Sequence, residues 1–533
     1  MQDAGEFETR PVEPHRLEPA RHFAATYAGE HVAGTEFVIG ALFVAWGVST
    51  RDILWGLLWG NLAAVLTWGL VCAPIAVQTR LTLYAYLQRI AGPGMVKLYS
   101  IVNGLLFCVL AGSMITVSAS AVRILFDIPP QVNWYPTSVS FVLVALAVGA
   151  VVVTIAVKGF RGVAQFAEVC SPWMILMFLI GAFAVLPVLL ARVPESLDLG
   201  VLGKLSWVAD TSIWRGDGEE IGLWHVAAFA WICNLAMHGG LSDMTLLRFA
   251  RKASYGYFST LGMFIGHYLA WVCAGVMGAG AALLLDASIT QLDAGAVAFQ
   301  ALGATGILVV ILAGWTTSNP TLYRAGLAFQ SLNPRWSRSH VTIVTGVVTT
   351  IIACFPFVFT KLLDFVGLMG LILAPVGAVI VTEHWLFPRL GLTRYWAHYG
   401  GLRTNGAAVL AWGGSLLVAW ASHRSGLHLF FLVIPVWLTA TVLYTGLAAL
   451  LEARRPFVEQ ASAHERSEQE RVARERAYLQ QPALQAAASS RSQSSSASLK
   501  VSRVLAVGSL LSCVLLGVYV LSGGSFEACK NWL

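Results

Sequence analysis

The sequence predicts an all-α membrane protein: twelve core transmembrane helices in a five-plus-five inverted repeat, with an extra helix near the C-terminus. Three observations carry that expectation. Of 533 residues, 57% are hydrophobic and 12% charged, against roughly 25% charged in soluble domains; the mean hydropathy is +0.70. The apolar residues form long blocks such as Ser140 to Val157, and the few charges are too scarce to cover them in water. The basic residues gather in the short loops between blocks.

Twelve blocks fall at about 22–50, 53–77, 101–125, 139–157, 163–191, 223–246, 256–285, 304–331, 341–359, 362–387, 405–422 and 427–450. Next, Glu452 to Gln481 carries six Glu and six Arg, the pattern of a solvated helix. A low-complexity linker runs from Ser489 to Ser498, and Val504 to Leu521 supplies 18 residues, enough for a thirteenth span. The expected organisation is a tail (1–21), a first five-helix repeat (22–192), a loop (193–222) and a second repeat (223–388). Two further helices (389–451), a charged and Ser-rich linker (452–503) and the last helix (504–521) complete it.

Loop charge sets the orientation. The five loops on the N-terminal side hold 13 Lys and Arg, and the six opposite loops hold 7. The N-terminus is therefore expected on the cytoplasmic side of a plasma or inner membrane. The first 20 residues are polar, with Asp3, Glu6 and Glu8, so no signal peptide is expected.

Composition and motif content also exclude several functions. A net charge of +6 over this length gives no nucleic-acid footprint. Seven of eight cysteines lie in apolar stretches without paired spacing. There is no phosphate-binding loop, no His/Cys metal spacing and no nucleophile elbow. The chain is expected to be neither an enzyme nor an ATP-driven pump, to need no cofactor, and to meet lipid and a small-molecule solute but no nucleic acid, with protein partners left open.

Five is odd, so the second block of five spans must enter the membrane from the side opposite to the first. Inverted repeats of this kind hold solutes near the midplane where the first helix of each block is interrupted. Span 1 is uninterrupted only from Phe37 to Val48, 12 residues, or about 18 Å of helix. Before it, Gly29-Glu-His-Val-Ala-Gly34 brackets two ionisable residues with glycines. Span 6 runs from Leu223 to Met237 and then meets His238-Gly-Gly-Leu-Ser-Asp243, which reads equally as a break or as its cytoplasmic end. Ionisable groups within a span are costly and usually functional. Glu30, His31 and Glu36 are therefore candidates for a proton relay, with helix capping at the interface as the alternative.

Further pieces fall in a consistent order: Gly60-Asn61, Arg89-Ile-Ala-Gly-Pro-Gly94, Asp243 followed by Arg248-Phe-Ala-Arg251, Trp315-Thr-Thr-Ser-Asn-Pro-Thr-Leu-Tyr-Arg-Ala-Gly326, and Ala374-Pro-Val-Gly377 with Glu383. In these the chain, over about 20–450, resembles the purine–cytosine permease family (nucleobase:cation symporter family 1). The resemblance implies a LeuT-like fold and symport of a nucleobase or similar heterocycle with Na⁺ or H⁺. It also implies a substrate site around Glu30, His31, Gly34, Asn234, Asn319 and Thr321, to which Phe107 and Trp231 as stacking rings and Ser113 as a hydrogen-bonding group are added as candidates from their own positions. The cation site it implies pairs the backbone of Val32 and Ala33 with the hydroxyls of Thr316 and Thr317. An amide complements a nucleobase edge and aromatic rings stack on its face.

Span 3 departs from the family pattern. Its segment Leu105-Leu-Phe-Cys-Val-Leu-Ala-Gly-Ser-Met114 has neither Trp nor Gln. Together with the charge in span 1, this points toward a cationic or zwitterionic heterocycle or a proton-coupled mechanism. The competing expectations are a vitamin precursor, hydantoin-like compound or amine on the same fold, and a membrane sensor that binds without transporting.

Overall fold

The computed structural model describes residues 9–131, 133–333, 335–356, 358–481 and 496–532. Of the described residues, 78% are helical, and among them there are only two isolated β-bridges, Glu18–Ala250 and Ser49–Arg215. Eight described helices are long and apolar enough to cross a membrane. Three shorter apolar helices accompany them, Glu36–Ala45, Leu223–Ile232 and Arg338–Ala353. The first two are short because each is half of an interrupted span.

Polar residues at the block edges start the helices. The side chains of Ser49, Thr82 and Asp293 accept from the amides of Asp52, Ala85 and Ala296 at 3.1, 3.1 and 2.8 Å, satisfying donors that a first turn leaves open. Within Leu83–Val122 the backbone leaves helical geometry at Gly92, at φ 76° ahead of Pro93. A Cβ there would lie 2.7 Å from the carbonyls of Leu402 and Arg403. The Gly-Pro-Gly motif thus seats the 402–405 turn, with Gly94 N donating to Arg403 O (2.8 Å) and Asn405 N to Ala91 O (2.9 Å).

The centre of the bundle is Ala304–Gln330 packed lengthwise on Leu83–Val122. Glu36–Ala45 lies on Leu269–Leu285, and Thr50–Thr67 on Leu223–Ile232. Glycines set these distances: a Cβ on Gly40 would meet the Trp271 carbonyl at 2.4 Å, and one on Gly60 that of Ala227 at 2.2 Å. Outside the core, Gly406–Arg424 pairs with Val433–Leu450, and Ser496–Leu521 packs along Gly159–Leu190. The large apolar side chains left exposed, such as Leu143, Leu438 and Leu515, suit a lipid solvent.

The charged stretch forms the helix Val458–Leu479. Arg80, left-handed at the end of the Thr50–Thr79 span, turns its guanidinium onto Glu475 of that helix and onto the carbonyls of Arg248 and Ala250. Arg471 adds a bond to the Gln78 carbonyl at 2.5 Å. Most of the expected Ser-rich linker lies outside the described residues. The 193–222 loop contains a short helix, Val201–Val208, that the sequence reading did not separate.

Candidate solute and cation site

The first span consists of two helices, Ala20–Glu30 and Glu36–Ala45, joined by five non-helical residues from His31 to Thr35. The other interrupted span has two gaps. Leu223–Ile232 stops at Cys233 and Asn234, resumes for Leu235–His238, and stops again until Met244. In the second gap the chain turns at Leu241, φ 61°. Its glycines accept a neighbour at contact distance, since a Cβ on Gly377 would sit 1.8 Å from the Gly239 carbonyl.

A buried charge triad ties the two breaks together. Arg324, on Ala304–Gln330, donates to both Glu30 oxygens at 2.5 and 3.0 Å, and from Nε and NH2 to Asp243 Oδ1 at 3.0 and 2.5 Å. The other Asp243 oxygen accepts from Tyr27 Oη (3.0 Å) and Trp68 Nε1 (2.6 Å). All three charged side chains are buried. Two carboxylates facing one guanidinium leave the group one negative charge in excess.

Beside the triad is a small cavity of about 50 Å³, room for roughly four waters. Glu30, Ala33 and Glu36 line it from the first span, Asn234 from the second break, and Thr317 and Thr321 from the central helix. The hydroxyl of Thr317 is shared between the carbonyls of Glu30 (2.9 Å) and Ala313 (3.0 Å), joining the central helix to the end of Ala20–Glu30. Thr316 donates to Ala313 O at 3.1 Å. Val32 is buried in the core. Gly34 faces Val117, whose methyl a Cβ there would meet at 2.6 Å. His31 bonds to the Tyr27 carbonyl at 2.8 Å, with its ring 5.0 Å from that of His267.

The remaining candidates lie off this cavity. Phe107 is packed in the core. Ser113 donates to Val109 O (3.0 Å) and Asn319 to Trp315 O (2.8 Å), both within their own helices. Trp231 donates to Thr67 Oγ1 at 3.2 Å. On the cavity, Leu110 and Met114 represent Leu83–Val122, so that wall is apolar rather than aromatic.

His267, read from sequence chiefly as a histidine satisfied by neighbouring helices, and Trp271, which sequence reasoning missed, both line the cavity. His267 and Trp271, four residues apart and so on one helical face, stack at 4.6 Å and 13°. Trp271 Nε1 donates to Glu36 Oε2, and His267 Nε2 lies 3.7 Å from Glu36 Oε1. The spacing of an aromatic four residues after a buried histidine was the available signal. Asp243 and Arg324 stood in the quoted motifs without a role.

No protein-family model matches the chain. The cytosine permease of Escherichia coli strain K12 is 25% identical over 188 residues, 34% of this chain and 41% of the permease. The chain thus matches about two fifths of the length of that relative. Among solved structures, Mhp1, a nucleobase-cation-symport-1 family transporter closed around bromovinylhydantoin, superposes with TM-score 0.65 at 15% identity, over 86% of this chain and 99% of Mhp1. Its inward-facing form gives 0.60 at 14%, over 86% and 97%. A Na⁺-coupled sialic acid symporter, outward-open and substrate-bound, gives 0.58 at 13%, over 82% and 90%. These relatives are transporters, not enzymes. The chain is accordingly a multi-pass membrane protein, homologous to cytosine permease over that stretch and carrying the fold of a nucleobase-cation-symport transporter.

Proposed function

We propose that the chain is a cation-coupled symporter that carries a nucleobase-like nitrogen heterocycle by alternating access. The observation that carries this reading is the cavity between two helix breaks, latched together by Arg324. Interrupted helices place unpaired backbone groups where a solute and an ion can use them. In this reading 22–192 and 223–388 are the two repeats, moving against each other in a plasma or inner membrane with the N-terminus cytoplasmic. The carbonyls around Val32 and Ala33, with Thr316 and Thr317, receive the coupling cation. The hydroxyl of Thr317, already at the Glu30 carbonyl, supports that placement, and so does the negative excess of the triad. Na⁺ fits an all-oxygen set of carbonyls and hydroxyls. A proton on Glu36 or Glu30 is the other way to neutralise the site. A heterocycle suits the combination of an apolar slab at Leu110 and Met114 with the polar atoms of Asn234 and Glu36.

Reconstituted protein tests the reading. Uptake of labelled cytosine is measured under an inward Na⁺ gradient, an inward proton gradient and neither. Uptake that needs one gradient supports symport and names the ion. Binding without any uptake supports a sensor instead.

A further inference from the structure

We infer that the solute selected by this cavity presents a cationic, nitrogen-rich edge, and that Glu36 is the residue that reads it. The inference rests on the transport reading above and sharpens its substrate class.

Glu36 differs from the two carboxylates of the triad. Glu30 and Asp243 share Arg324, whereas no Lys or Arg is among the described residues lining the cavity. A carboxylate has about four lone-pair sites. Trp271 Nε1 takes one on Oε2, the Ala33 backbone also bonds to the carboxyl group, and His267 Nε2 lies 3.7 Å from Oε1. Asn234 Nδ2 points at His267 Nε2 from 3.4 Å, and Cys233 Sγ lies 3.5 Å from Nδ1. The amide and the Glu36 carboxyl group thus face the same imidazole nitrogen.

The hydroxyls nearby are committed elsewhere. Thr35 points at the Met114 sulfur, Thr317 at two carbonyls, and Thr321 at the Thr317 carbonyl. His31, the remaining titratable neighbour on the first span, is turned to Tyr27 O. The opposite wall is Leu110, Met114, Leu362 and Val366, which offers no donor and little screening. A carboxyl group so placed holds its charge best against a cationic partner, from which it accepts. A ring carrying an N–H donor and a positive charge, of the aminopyridinium or protonated aminopyrimidine type, meets Glu36 with a charge-assisted hydrogen bond.

Two rings of one size test this on the purified full chain. 4-Aminopyridine is a cation at neutral pH and 4-pyridone is neutral. Affinities are read by thermal shift in wild type, Glu36→Gln and Glu36→Asp. The expected result is binding of the cation at least about tenfold tighter in wild type, a difference of 1.4 kcal/mol. That preference disappears in Glu36→Gln and survives in Glu36→Asp. Equal or tighter binding of 4-pyridone by wild type overturns the inference, whether or not the variants fold, and leaves symport of a neutral heterocycle standing. Loss of preference in Glu36→Asp as well as Glu36→Gln also counts against it. If neither ring nor cytosine shifts the wild type, the transport reading fails with it.

Discussion

Replacing Arg324 with methionine keeps most of the side-chain volume and removes the positive charge that, among the described residues, pairs with both Glu30 and Asp243. Four hydrogen bonds at 2.5–3.0 Å vanish with it. Two carboxylates then face each other in a buried space, with Tyr27 and Trp68 still serving Asp243. Breaking a buried ion pair by removing one partner costs about 3–5 kcal/mol, because the remaining charge is stranded. Glu30→Gln acts differently: it brings the triad to neutrality and leaves the Arg324–Asp243 pair intact, at an expected cost of about 1 kcal/mol. The double variant Arg324→Met/Glu30→Gln strands only one carboxylate, so it should be less destabilised than the sum of the singles by at least about 1 kcal/mol. Denaturant or thermal unfolding of the purified protein in one detergent measures all four proteins. The reasoning is refuted if Arg324→Met is no less stable than Glu30→Gln, or if the two substitutions simply add.

Three further outcomes are expected. Gly377→Ala, whose methyl would lie 1.8 Å from the Gly239 carbonyl, should cost about 1–3 kcal/mol and lower uptake more than solute binding, read by comparing transport with thermal shift. Thr317→Val should weaken any Na⁺-induced rise in melting temperature by about tenfold in Na⁺ concentration, the size of one lost ligand contact; an unchanged Na⁺ response removes Thr317 from the cation site. Glu475→Gln strands the buried Arg80 guanidinium and should lower stability by about 2 kcal/mol, while Glu465→Gln, on the same helix without an ion-pair partner among the described residues, should change it little.

How far the sequence revealed this arrangement differs between the two breaks. Gly29 and Gly34 around Glu30 and His31 made the first legible, because charges between glycines have no place in a plain span. At the other break the glycine pair marked only the second gap. The first, at Cys233 and Asn234, lies in a run of helix-compatible residues and leaves no trace in periodicity. Arg324 stayed hidden for a different reason. It follows the apolar run of its helix and so resembles a residue near the membrane rim, while its partners are 294 and 81 positions away in the chain. Local pattern cannot report a pairing made by tertiary packing. Phe107, Ser113 and Asn319 were read from their place in the spans that the family resemblance assigns to the site, but they lie off the cavity, and Ser113 and Asn319 bond to their own helices.

Accumulation in proteoliposomes tests the central claim most directly. Labelled cytosine and labelled 4-aminopyridine are offered outside vesicles containing the wild-type chain, under an imposed inward Na⁺ or proton gradient. The predicted result is an internal concentration of one of them above the external one, collapsing to equality when an ionophore dissipates the gradient. Simple equilibration under both gradients, or no entry of either compound, would contradict coupled transport through the broken helices.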